Sequence, residues 1–123
     1  MTFAVLSLVM ACAGVLLGLR FVFAGASLLR EWGIEVTKGT LVIVRRLGAL
    51  YLGLAALFVL GRDAAPSELR SAVCLGVGGA IAVLACLGGF ELRAGRVNSR
   101  IVVSVIVEVA FAASFGWVWW EGR

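Results

Sequence analysis

Four side chains able to do chemistry stand inside long apolar runs: Arg20, Tyr51, Ser104 and Glu108. Arg45, Arg46 and Glu91 stand where such runs begin or end. An ionisable group in an apolar segment is costly to keep, so each points to a partner or a task. Arginine, carboxylate and phenol can satisfy one another through charge-assisted hydrogen bonds. Such a cluster could fix helix register, or it could bind a ligand or an ion. At 1.5 Å per helical residue, Glu108 lies roughly 10–12 Å from Ile101, and Tyr51 about 9 Å from Arg45. Arg20 approaches the same side from the latter half of its own run. The expected site therefore holds Arg20, Tyr51, Ser104 and Glu108 in one half of the apolar layer, with Arg45, Arg46 and Glu91 as its polar edge. Arg20 faces Glu108 if the first and last runs are antiparallel neighbours; otherwise it snorkels to the interface. A structural role is the larger expectation and a ligand or ion pathway the smaller.

The residues that are missing narrow the chemistry further. The chain has no histidine, which removes the commonest general base, metal ligand and haem ligand together. Cys12, Cys74 and Cys86 fall in apolar stretches without a C-x-x-C pair and read as small core-packing residues. No paired carboxylates suit acid–base catalysis. No catalytic residue, metal site or cofactor is expected, and an enzyme is the least favoured class.

The elements that must position these residues follow from composition. Of 123 residues, 63% are hydrophobic and 15% charged. Soluble domains run near 45–50% apolar and about 25% charged, so the expected medium is lipid. Four apolar runs, about 3–29, 41–60, 71–90 and 101–120, each reach roughly 20 residues or more, enough for a ~30 Å hydrocarbon layer. They lack the alternation of barrel strands, and without water every backbone amide must be satisfied within its own segment. The expected fold is all-α: a four-transmembrane-helix bundle forming one membrane domain over residues 1–123. Ala11-Cys12-Ala13 faintly resembles a cleavage site, but no cation precedes the run and it continues past Cys12, so a retained first helix is expected.

The connections differ in character. The first, Arg30–Thr40, contains Trp32 and is expected to lie along the interface with Ile34 and Val36 dipping inward. In the second, Gly61–Arg70, Pro66-Ser67-Glu68 reads as a helix start with proline near the first turn. In the third, Glu91–Arg100, Gly95 and Asn98 are turn residues. No internal repeat stands out. Loops one and three carry Arg30, Lys38, Arg45, Arg46, Arg93, Arg96 and Arg100, against Arg62, Arg70 and Arg123 opposite. This bias favours the plasma (inner) membrane of a cell, with those loops cytoplasmic and both termini outside. The net charge of +4 is spread along span edges, so nucleic acid is not an expected partner.

Small residues recur four apart: Gly14 and Gly18, then Ala72, Gly76 and Ala80, then Ala112 and Gly116. Such spacing lets another helix approach closely. Packing within one bundle is the first expectation, with Gly14, Gly18, Gly76, Ala80 and Gly116 as packing positions. Packing between copies in a homo-oligomer is the second. Trp117, Trp119 and Trp120 read as an interfacial aromatic belt.

The stretch Arg46-Leu-Gly-Ala-Leu-Tyr51-Leu-Gly-Leu, opening the second run after a polar loop, resembles the DoxX-like superfamily of small bacterial four-helix membrane proteins. Arg46, Gly48, Tyr51 and Gly53 correspond to that pattern, while Glu108 and the basic third loop are not part of it. The resemblance implies an accessory subunit of a sulfur- or quinone-coupled redox complex, with no catalytic residue attached. The expected function is a non-enzymatic membrane component that joins copies of itself or a larger complex. The alternatives are a small transporter or channel lined by Arg20, Tyr51 and Glu108, and a quinone-associated redox subunit.

Overall fold

A computed structural model describes residues 1–122; Arg123, counted among the terminal-side charges, lies outside the described residues. Four helices follow in order: α1 (Phe3–Glu31), α2 (Lys38–Leu60), α3 (Glu68–Arg93) and α4 (Ile101–Gly122). Each is long and apolar enough to cross a membrane, and no strand occurs among the described residues. The all-α, four-span expectation therefore holds. Several helices overrun their apolar runs with polar residues, such as Glu31, Lys38, Glu68 and Arg93.

The helix ends have identifiable causes. Thr37 caps α2, its Oγ1 accepting from Thr40 N (3.1 Å) while Thr40 Oγ1 accepts from Thr37 N (2.8 Å). This is a reciprocal capping box in which threonine replaces the usual acid or amide. Ser67 caps α3 by accepting from Arg70 N (3.1 Å), with Glu68 in the first turn. Pro66 thus sits just before the cap, two residues ahead of the first helical position. At the other ends, α1 and α3 close with the same device. Gly33 (φ 76°) donates to Arg30 O while Ile34 donates to Leu29 O; Gly95 (φ 77°) donates to Leu92 O while Arg96 donates to Glu91 O. Both are Schellman turns, which need a residue in the left-handed region that glycine enters without penalty.

Within α1 the backbone breaks helical geometry at Ala24 (φ −133°, ψ 32°). There is no proline nearby, and Gly25 follows directly; small residues of this kind are where unprolined helices bend. A straight helix of 29 residues would be about 43 Å long, well beyond the hydrocarbon thickness.

The chain packs as two units, one of Ser7–Arg62 and one of Met1–Leu6 together with the residues from Asp63 onward. Each is an antiparallel helix hairpin. In the first, glycines bring α1 and α2 into near-backbone contact. A Cβ at Gly48 would lie 2.8 Å from Gly18 O, one at Gly25 2.8 Å from Val44 Cγ1, and one at Gly14 3.1 Å from Tyr51 O. In the second, a Cβ at Gly78 would meet Phe115 Cβ at 2.9 Å and one at Gly88 would meet Val105 Cγ2 at 2.8 Å. Buried positions follow the same stripe in both first helices: Gly14, Gly18, Phe21 and Gly25 in α1; Cys74, Gly78, Ile81 and Ala85 in α3.

The two hairpins also close alike, each first helix ending in a glycine Schellman turn at Gly33 or Gly95.

Candidate functional site

Glu108 lies on α4 one turn beyond Ser104, whose Oγ donates to Glu108 Oε1 at 2.9 Å. The i, i+4 spacing stacks the two on one face. Glu108 Oε2 is buried and has no hydrogen-bond partner among the described residues. Half of this carboxyl group is therefore satisfied and half is not. Ser7, fully buried in α1, has an Oγ in the same condition. Sequence reasoning missed Ser7, since a lone serine in an apolar run carries no signal.

Arg20 finds its counter-ion within its own helix. Its Nη2 donates to Glu31 Oε2, both side chains being about one-third exposed. Eleven residues are three helical turns, so the pair shares a face, and the Ala24 break lies between them. Glu31 was overlooked as a partner because the sequence reading placed it in the loop, beyond a straight span.

Tyr51 packs against an apolar cluster. Its ring meets Phe21 at 5.3 Å between centroids, tilted by 47°. Phe21, Leu28, Leu29 and Val44 form the buried centre of that cluster. Trp32, Ile34 and Val36 from the first loop pack against it, so these residues fold onto their own hairpin. The contact of Ile34 with the Leu29 region is the hydrophobic closure that accompanies a Schellman turn.

The expected polar edge divides. Arg45 and Arg46 are exposed, with no ion pair or hydrogen bond among the described residues. Glu91 instead closes its own turn: Arg96 Nε donates to its Oε2, and Arg96 Nη2 lies 3.5 Å from Oε1. The carboxylate holds the Arg96 guanidinium above its ordinary pKa, chiefly through that hydrogen bond. The guanidinium also covers the Phe90 ring at 5.3 Å. Arg70, read from sequence only as a flanking charge, stacks over Phe3 at 4.5 Å and donates to Ala64 O at 3.1 Å. It ties the N-terminal residues to the unit they pack with.

The packing glycines also divide. Gly14 and Gly18 meet α2, whereas a Cβ at Gly76 or Gly116 would have nothing within 4 Å, and Ala80 is exposed. Of the cysteines, only Cys74 is buried; Cys12 and Cys86 lie on the outer surface, correcting the expectation of three core residues. In lipid an outward thiol is as well solvated as a packed one. All three thiols are free, and no metal-binding cluster occurs among the described residues. Trp117 and Trp120 are exposed at the end of α4, as a belt requires. No family model, curated protein or solved structure matches the chain.

Proposed function

We propose that this chain is a non-enzymatic component of the inner membrane that assembles with copies of itself through the small-residue face of α3. One observation carries this reading. Gly76 and Gly79 leave open space where a side chain would stand, and Ala72 and Ala80 beside them are exposed. The hairpin does not use this strip for its own packing. In lipid there is no hydrophobic drive between helices, so association relies on close backbone approach across smooth faces. The loop charges support cytoplasmic placement of loops one and three. The resemblance of residues 46–54 to DoxX-like accessory subunits supports a supporting rather than a chemical role.

Mass measurement in lipid nanodiscs or mild detergent tests the assembly. The wild-type chain is expected as a dimer or larger. The double change Gly76→Leu with Ala80→Leu is expected to give a folded monomer, since neither side chain intrudes on the hairpin. A monomeric wild type at high protein-to-lipid ratio would overturn the reading.

A second reading, a proton-coupled transporter, is favoured by the buried Oε2 of Glu108, which has no hydrogen-bond partner among the described residues. A buried carboxyl that takes up and gives up a proton would couple flux to the membrane gradient. Its test is a Glu108→Gln change in proteoliposomes: loss of proton-driven flux with folding intact supports it, and unchanged flux removes it.

A further inference from the structure

We propose that Arg20, Arg45 and Arg46 form a collar that binds the phosphates of anionic phospholipids, so that the bilayer surface crosses the first hairpin near the Ala24 break rather than at the helix ends. The contacts between α1 and α2 set the register. Gly18 lies against Gly48 and Gly25 against Val44. Arg45 and Arg46 therefore stand level with Val22–Ala24, and Arg20 stands close to the level of Gly48. All three fall in a slab roughly 5 Å thick along the hairpin axis. A surface placed at Arg30 would instead leave three guanidinium groups deep in hydrocarbon, a costly arrangement.

The surfaces on either side of the slab differ in kind. On the terminal side apolar residues point outward: Leu16, Leu19, Leu50, Leu57 and Leu60 are all exposed. On the loop side Leu28 and Leu29 turn inward beneath Trp32 and Ile34, while Ser27, Glu35 and Lys38 face out. The first pattern suits a lipid solvent and the second suits water. Phe23, exposed between the two, lies at the crossing itself, and Val42 and Ile43, level with Ala26 and Ser27, carry exposed apolar surface about one turn nearer the loop.

Length and charge agree with this placement. From Phe3 to Arg20 is about 26 Å of helix and from Arg46 to Leu60 about 21 Å, short of the ~30 Å hydrocarbon layer. Arginine stems reaching about one turn outward close the gap for α1 and leave about 4 Å in α2 for local thinning of the bilayer. Arg45 and Arg46 have no protein partner among the described residues, and Arg20 keeps donors beyond the one given to Glu31. In the loop half of the hairpin, Arg20, Arg30, Lys38, Arg45 and Arg46 stand against only Glu31 and Glu35. The planar fork of arginine matches a phosphodiester, which makes an anionic phospholipid the fitting occupant.

The first test reads depth with the arginines intact. With Cys12, Cys74 and Cys86 replaced by Ser, a spin label at Phe23→Cys is compared with one at Leu50→Cys in bilayers containing phosphatidylglycerol. The Phe23 label is expected within about 5 Å of the hydrocarbon boundary; a surface at Arg30 would place it about 10 Å inside. The second test titrates phosphatidylglycerol against the purified full chain in neutral detergent. Arg45→Gln with Arg46→Gln is expected to weaken binding tenfold or more on an order-of-magnitude scale. Lysine at both positions should restore part of it. A deeply buried Phe23 label, or phosphatidylglycerol binding unchanged in the glutamine variant, would overturn the proposal.

Discussion

Ser104 answers one oxygen of Glu108 and leaves the other without a partner, so the two positions should respond differently to mutation. Ser104→Ala removes the one hydrogen bond that the carboxyl group makes among the described residues and should lower stability in detergent by about 1–3 kcal/mol. Glu108→Gln keeps an acceptor for the serine and removes the possibility of a buried charge. Thermal unfolding should find it as stable as the wild type or more so. Arg20 is the residue at which sequence reasoning succeeded and failed together. Its need for a carboxylate was legible, because an arginine among leucines and phenylalanines has few other options. The identity of that carboxylate was not, because Glu31 becomes a neighbour only once α1 runs past its apolar stretch and breaks at Ala24. Tyr51 shows a side of the residue that its hydroxyl did not advertise, a ring held against Phe21 beside an apolar cluster.

At the scale of elements, glycine has opposite meanings at different positions. Gly48→Ala would press a methyl group to 2.8 Å from the Gly18 carbonyl oxygen. Backbone cannot yield as a flexible side chain can, so a loss of about 1–3 kcal/mol is expected from thermal unfolding. Gly53→Ala meets nothing within 4 Å and should gain up to about 1 kcal/mol from helix propensity in the same assay. Gly95→Ala forces an L side chain into the left-handed region and should cost about 1–2 kcal/mol. Spacing alone could not tell these cases apart. A small residue every fourth position says that a close approach is possible, but not which neighbour makes it. The cap at Ser67 and the turn at Gly95 were legible, since each has a local chemical reason. Thr37 and Gly33 were not, because the first loop looked like an interfacial segment and hid two helix ends.

At the scale of the whole molecule, helix number and type were readable because hydrocarbon admits few solutions for an uncharged run of twenty residues. The division into two hairpins was not readable, because four similar apolar runs do not say which helix packs on which. That division bears on how the chain is made. Each hairpin carries its own glycine hinge and its own interlocking glycine contacts, and the first set is complete by Arg62. A ribosome that has just released that residue has already delivered everything α1 and α2 need to embrace, apart from the few N-terminal residues that wait for α3. Biogenesis should therefore proceed in two strokes. A polypeptide ending at Arg62 and made in cells should insert on its own as a membrane-embedded, protease-resistant helix pair.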